Sequence, residues 1–143
     1  MMKARSLFAA GVAAVLAGCA SDPGGPFPSA AAQPACAPTD GPAIQVDLGL
    51  SGAGPSSPPY VRVSVYRRLE DLGGRTWTLD PPHDVGMAFY CPGNGPCVDA
   101  SRGTVRFDPG AGVRGAVDLF FPPNRRIRGT FDAPLREIHV QCG

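Results

Sequence analysis

The sequence contains a single lysine, Lys3, and two histidines, and every other basic side chain is an arginine. Its 13 basic residues nearly balance 12 acidic ones, and eleven basic and twelve acidic residues remain once residues 1–18 are set aside. Nucleic-acid binding and polybasic membrane binding both require a clustered excess of positive charge. The composition therefore predicts neither kind of partner.

The motifs of the common catalytic classes are also missing. The chain has no C-x-x-C, which thioredoxin-like redox proteins need, and no G-x-S-x-G, which serine hydrolases need. The glycines between Gly93 and Gly95 form too short a run to bind a phosphate, and no helix pattern follows them. The sequence predicts a protein that is not an enzyme and has no cofactor.

Long apolar runs are absent except near the start of the chain. Leu7–Leu16 contains no charged side chain and follows Lys3 and Arg5, a layout typical of a secretory signal peptide. A transmembrane helix is the alternative, but it needs about 20 apolar residues to cross a bilayer. Residues 1–18 are therefore predicted to be a signal peptide.

The apolar run ends in Leu16-Ala17-Gly18-Cys19, which resembles the lipobox of bacterial lipoproteins. The resemblance implies that Cys19 becomes the first mature residue and carries a diacylglycerol and an acylated amine, with fatty acids such as palmitate. An anchor with two or three acyl chains holds a protein stably at a membrane. Ala20 and Ser21 follow, where an Asp would favour the inner membrane. The resemblance thus implies the outer membrane, facing the periplasm, with the inner membrane and the cell surface as alternatives.

Residues 19–42 are rich in proline, alanine, glycine and serine and contain one aromatic residue, Phe27. Such a composition buries too little surface to offset the entropy lost on ordering. The lipidated N-terminus is therefore predicted to continue as a flexible tether over residues 19–42. The folded domain is predicted to span residues 43–143.

Beyond residue 43, apolar and polar side chains alternate with the period of half-buried strands. Tyr60–Leu69 is the clearest example, and Val85–Cys91 is short and apolar on both faces. Turn signals recur about every ten residues, and no window has a helical period. The pattern predicts an all-β fold: an antiparallel β-sandwich or a small barrel of seven or eight strands, mostly in meander order.

Two strands near the C-terminus are predicted in more detail. Val113–Phe121 and Arg126–Asp132 form a hairpin in which Phe121 faces Ile127 across a five-residue loop. Leu135–Cys142 is predicted to be the last strand, with Ile138 and Val140 facing the core.

Four cysteines remain if Cys19 is acylated, which is an even number in an exported protein. Four cysteines allow three pairings, and the sequence does not decide among them. We favour Cys91 with Cys97, because the six-residue step spans a symmetric Pro-Gly-Asn-Gly-Pro turn. That choice leaves Cys36 to pair with Cys142. Structural zinc is disfavoured, since its ligand pairs lie closer together than Cys91 and Cys97.

Asp80, His83 and Asp84 form the one place where a histidine and carboxylates crowd together. Such a trio could bind a divalent metal or act as an acid/base pair. An ordinary solvated turn is favoured instead, because two prolines lie within the segment and no second histidine is near. The sequence therefore predicts no metal, with these three residues as weak candidates.

Arg125, Arg126 and Arg128 are the densest basic group, next to a predicted hairpin turn. They could bind carboxylates or phosphates in bidentate fashion, although a solvated surface is the simpler interpretation. Phe120 lies on the same outward face and is apolar. These four residues are the candidate contact surface.

Three functions remain open. The first is a non-enzymatic interaction module of the cell envelope that binds another envelope component, such as a protein. The second is a ligand-binding or inhibitory periplasmic lipoprotein, and the third is a metal-assisted enzyme. Ser57–Tyr66 also resembles a strand of the outer-membrane lipoprotein of type VI secretion systems, a small β-sandwich. That resemblance implies an accessory role in secretion.

Overall fold

The computed structural model describes residues 24–143, so the predicted signal peptide and Cys19 lie outside the described residues. The described chain forms nine strands and one short 3-10 helix. The strands are β1 (Ser29–Cys36), β2 (Pro42–Gly49), β3 (Tyr60–Val65), β4 (Thr76–Thr78), β5 (Gly86–Cys91), β6 (Val98–Asp99), β7 (Arg102–Phe107), β8 (Val113–Phe121) and β9 (Arg125–Ala133). The 3-10 helix is Leu69–Asp71. No helix in this part of the chain is long and apolar enough to cross a membrane.

The strands form two antiparallel sheets, which confirms the predicted β-sandwich and excludes the closed barrel. One sheet has the order β1-β2-β3-β5-β6 and the other the order β4-β7-β8-β9. Most neighbours are consecutive in the chain, as the meander prediction required. Nine strands are present rather than seven or eight, because β1 was not predicted and β6 has only two residues.

The core lies between the two sheets and is built from the inward positions of alternating strands. Val61, Val63 and Val65 of β3 are fully buried, and Leu119 of β8 faces them from the other sheet. Val105 and Phe121 are among the other residues that the second sheet contributes. Trp77, which was predicted to lie in the core, is partly buried against it. Burial of these side chains is the main stabilising term of the fold.

The predicted flexible tether is wrong for most of its length. β1 lies inside residues 19–42 and pairs with β2 along its whole length, from Ser29 to Cys36. The alternation of apolar and polar residues is weak here, because the strand is largely alanine. Ala31 and Ala32 are nonetheless buried, and backbone hydrogen bonds to β2 order the segment. Backbone hydrogen bonds and the burial of small side chains therefore stabilise a segment that has few large apolar residues.

Order extends further towards the N-terminus, because Gly25–Phe27 lies along β9. The Phe27 amide donates to the Thr130 carbonyl at 2.9 Å, and the Thr130 amide donates to the Gly25 carbonyl at 3.0 Å. The bridge between Pro26 and Thr130 is parallel, and the Phe27 ring packs against the core. This segment covers the edge of the second sheet, which would otherwise present unpaired backbone groups.

Gly129 makes this docking possible, so Gly129→Ala is expected to destabilise it. A methyl group at residue 129 would lie 2.7 Å from the Gly25 carbonyl oxygen and 2.8 Å from the Phe27 ring. Overpacking of this kind costs about 1–3 kcal/mol. We expect a lower free energy of unfolding and faster hydrogen exchange of the Phe27 amide. Gly52→Ala is the control, because nothing lies within 4 Å of the added methyl group. Equal behaviour of the two variants would contradict this account.

The β8–β9 hairpin exists, but its predicted register is wrong by two residues. Phe121 pairs with Arg125 and Leu119 with Ile127, so three residues form the loop instead of five. Two of the three are prolines, whose fixed φ shortens the turn. A shift of two residues keeps each side chain on its predicted face, because the side-chain period of a strand is two.

The predicted last strand, Leu135–Cys142, is also wrong. The segment bridges β1 only at Ala32, whose amide donates to the Pro134 carbonyl and whose carbonyl accepts from the Arg136 amide. The pairing stops there because Pro34, the next residue of β1 facing this edge, has no N–H. Ile138 was expected in the core and is 43% exposed.

Both favoured disulfides are present. Cys36 and Cys142 are bonded with a Cα–Cα distance of 5.6 Å, and Cys91 and Cys97 with a distance of 4.2 Å. The first bond fastens the end of β1 to the C-terminal segment. The second closes the loop that follows β5.

One charged pair is largely buried on the outer face of the first sheet. Arg62 Nε and Nη2 donate to the two carboxylate oxygens of Asp47 at 2.7 and 2.9 Å, and Ser56 Oγ donates to the same carboxylate at 2.7 Å. The Asp47 side chain is 7% exposed and that of Arg62 is 28% exposed. The guanidinium carbon lies 5.6 Å from the centre of the Tyr60 ring and 5.7 Å from that of Phe89. The hydrogen bonds that Arg62 donates to Asp47 raise the pKa of Arg62, which stays charged.

Candidate functional site: an arginine surface on the second sheet

Four side chains meet on the outer face of the second sheet, at the end where β8 turns into β9, and Arg125 lies beside them at the end of the hairpin. We define the arginine surface as Arg102, Phe120, Arg125, Arg126 and Arg128. The last four are the predicted candidate contact surface. Arg102 was not predicted, because it lies on β7, and only sheet pairing brings it beside Phe120.

The register of the strands explains why these residues meet. Arg102, Phe120 and Arg126 occupy one row across β7, β8 and β9, and Asp118 pairs with Arg128 in the adjacent row. All of these positions alternate with buried ones, so their side chains point away from the core. Arg125 is the exception: it pairs with the buried Phe121 at the end of the hairpin, so its side chain lies on the side of the first sheet.

The aromatic rings hold the guanidinium groups in place. The Arg102 guanidinium carbon lies 4.2 Å from the centre of the Phe120 ring, and that of Arg126 lies 5.0 Å from the same centre. Arg125 lies over the Tyr90 ring of the first sheet at 4.7 Å. Cation–π contacts of this kind contribute about 0.5–1 kcal/mol at exposed sites. Phe120 is half-buried as a result, while all four arginines are exposed.

Asp118 is the carboxylate at the centre of this group. Arg126 Nε and Nη2 donate to its two oxygens at 2.8 and 2.7 Å. This hydrogen bonding lowers the pKa of Asp118, and the charges of Arg126, Arg128 and Arg102 lower it further. Within residues 24–143, no carboxylate forms an ion pair with Arg102, Arg125 or Arg128. Three guanidinium groups therefore keep free donors towards solvent.

The lowered pKa of Asp118 predicts a pH-dependent contribution to stability. A carboxyl group with a lowered pKa in the folded state stabilises the fold above its ordinary value of 3.8, and the stabilisation is lost as the pH falls below that value. Because the pair is exposed, Asp118→Asn is expected to cost at most about 1 kcal/mol at neutral pH. Denaturant titrations across acidic pH should show this difference disappearing. A difference that persists in strong acid would contradict the assignment.

The weak metal candidates do not converge on a common point. The Asp80 carboxylate accepts from the Gly103 amide at 2.9 Å, and His83 Nδ1 bonds to the Leu79 carbonyl at 2.9 Å. Asp84 is exposed. Among the described residues, no three His, Cys, Asp or Glu side chains are placed to hold a metal ion. Asp80 and His83 instead shape the connection between β4 and β5, where His83 has a φ of 64°.

Comparison with known proteins adds no family: no family model, no curated protein and no solved structure matches this chain. The surface therefore has to be interpreted from its own chemistry. Exposed arginines oriented by aromatic rings suit the recognition of carboxylates or phosphates.

Proposed function

We propose that this chain is a non-enzymatic interaction module of the bacterial cell envelope, anchored to a membrane through lipid on Cys19. The observation that carries the proposal is the arginine surface, where Arg102, Arg125 and Arg128 have no carboxylate partner in the described chain. Side chains oriented in this way suit binding rather than catalysis, since the carboxylate among them, Asp118, is held by Arg126 and no nucleophile lies beside it.

The lipid anchor rests on the lipobox-like Leu16-Ala17-Gly18-Cys19. The two disulfides are consistent with it, because they persist in oxidising compartments such as the periplasm. The outer membrane, facing the periplasm, is the proposed location, because Ala20 and Ser21 follow Cys19.

Cell fractionation of the wild-type protein and of Cys19→Ser tests the anchor. We expect the wild-type protein in the membrane fraction, with an acylated N-terminal peptide by mass spectrometry. The Cys19→Ser protein should be unacylated and should be lost from the outer membrane. A Cys19→Ser protein that stays there would refute the anchor.

Photo-crosslinking in intact cells tests the contact surface. A benzophenone amino acid at position 120 is expected to yield light-dependent adducts with another envelope component. The same probe at position 39 is the control, because Thr39 is exposed in the turn between β1 and β2. Equal adduct yields at the two positions, or none at either, would count against the arginine surface as the contact site.

A further inference from the structure

The arginine surface carries an excess of positive charge that the whole chain does not. Arg102, Arg126 and Arg128 surround one carboxylate, Asp118, on this part of the outer face, and Arg125 adds a fourth positive charge at its edge, at the end of the hairpin. Asp80 lies nearby on the β4 side, where its carboxylate is used by the Gly103 amide. Even with Asp80 included, arginines outnumber carboxylates by two to one. The nearly neutral composition of the chain therefore conceals a local cluster that only the fold assembles.

The N-terminal end of the described chain lies beside the same surface. A Cβ atom built on Gly24 would lie 2.8 Å from the Arg128 carbonyl oxygen and 3.3 Å from Arg128 Cγ. The pairing of Pro26 with Thr130 is parallel. Tracing the chain back from Pro26 to Gly24 therefore leads towards the start of β9, where Arg125 and Arg126 lie. The chain enters the domain at the edge of the arginine surface.

The distance from this point to the proposed anchor is short. Cys19 and Gly24 are five residues apart, and a fully extended chain of that length spans at most about 18 Å. The predicted tether over residues 19–42 would have allowed several times that reach. If Cys19 is lipidated, as the proposed function requires, the arginine surface is confined close to the lipid headgroups.

We propose that the arginine surface docks onto anionic phospholipid headgroups of the membrane that holds the anchor. Guanidinium groups bind phosphate in bidentate fashion, and Phe120 and Tyr90 hold three of them in place before binding. A lipid chain together with a basic patch is a known combination for stable membrane attachment. The position of Gly24 beside the arginine surface favours a membrane over a protein partner.

Docking in this way fixes which part of the domain faces away from the membrane. β1 runs in the same direction as β9, since Pro26 pairs with Thr130 and Ala32 with Leu135, both in parallel. The turn at residues 37–41 therefore lies at the end of the sandwich opposite the arginine surface. This turn is the part that faces the aqueous compartment.

The test uses the full lipidated protein, reconstituted into two kinds of vesicle. One contains phosphatidylcholine alone, and the other contains phosphatidylglycerol as one lipid in three. Modification of arginines by phenylglyoxal is followed by peptide mass spectrometry, and the mass of the N-terminal peptide reports acylation in the same sample. Arg75 is the internal reference, because it lies beside Phe107, at the other end of β7 from Arg102.

The rate at which Arg102 or Arg128 is modified is divided by the rate for Arg75. We expect this ratio to be at least fivefold lower in the anionic vesicles than in the neutral ones. The protection should disappear at about 1 M salt, where the screening length is about 3 Å. Each arginine near an anionic surface contributes about fivefold to binding. The variant Arg102→Gln/Arg128→Gln should therefore lose most of the protection of Arg125. The control variant Arg68→Gln/Arg75→Gln should keep the protection of Arg125. Arg136 serves as the reference in that variant, because Arg75 has been replaced.

Each other outcome overturns the inference. Equal reactivity in the two vesicles would show that the surface ignores lipid charge. Native membranes that contain the protein are labelled in the same way as a third sample. Protection there but not in lipid vesicles would assign the surface to a protein partner and leave the proposed function intact. An N-terminal peptide without acyl groups would refute the anchor and the inference together.

Discussion

Replacing Cys36 and Cys142 by serine is expected to lower the free energy of unfolding by about 4.7 kcal/mol, the loop-entropy value for a bond that closes about 100 residues. The two cysteines are 106 residues apart, so their bond restricts nearly the whole unfolded domain. It also holds the C-terminal segment, which pairs with β1 at Ala32 alone. Denaturant unfolding of the double variant measures the loss.

Cys91→Ser/Cys97→Ser provides the matched control for this prediction. Its bond spans six residues, for which the same relation gives about 2 kcal/mol. The long bond should therefore cost more than twice as much to remove as the short one. Equal losses, or the reverse order, would contradict the view that loop length governs their contributions.

Arg62→Ala is expected to destabilise the fold by about 3–5 kcal/mol, because it leaves a buried carboxylate without its charge partner. The Asp47 side chain is 7% exposed and, among the described side chains, would keep the Ser56 hydroxyl as its donor. Thermal or denaturant unfolding at neutral pH measures the loss. The aromatic contacts of Arg62 with Tyr60 and Phe89 disappear as well, which adds to the effect.

The Arg126–Asp118 pair is a close control, since both pairs join Nε and Nη2 of an arginine to the two oxygens of one aspartate. The side chains of Arg126 and Asp118 are 46% and 40% exposed, so Arg126→Ala should cost far less than Arg62→Ala. The double variant Asp47→Ala/Arg62→Ala should be more stable than Arg62→Ala alone. If Arg62→Ala lowered the free energy of unfolding no more than Arg126→Ala, the burial of Asp47 would not be the cause of the loss.

Side-chain alternation was sufficient to predict the strands with strong amphipathic patterns. The strands predicted over Tyr60–Leu69 and Val85–Cys91 form over Tyr60–Val65 and Gly86–Cys91, because branched and aromatic side chains on one face have only the core to pack against. The outward direction of Phe120, Arg126 and Arg128 was predicted correctly even though the hairpin register was not. Successive side chains of a strand point to opposite faces, so a shift of two residues in the register leaves each side chain on the same face.

Features that depend on backbone pairing between distant segments could not be predicted in this way. β1 is ordered by hydrogen bonds to β2, and its alanines carry almost no periodic signal. The pairing between β1 and the C-terminal segment ends at Pro34 only because Leu135 meets this edge of β1. The alternation of side chains does not predict which strand edge a segment meets. Arg102 joined the candidate site for the same reason, since it is 18 residues from Phe120 and meets it only across the β7–β8 pair.

The placement of Gly25–Phe27 and β1 determines when the domain can be completed during synthesis. Gly25–Phe27 needs β9, and Cys36 needs a cysteine 106 positions later. A chain that emerges from its N-terminus can pair β1 with β2 early, but Gly25–Phe27 and the Cys36 thiol stay without their partners until nearly all of it has appeared. Contacts of such long sequence separation slow folding. The order of the strands therefore delays the final closure of the domain until its C-terminal segment is present.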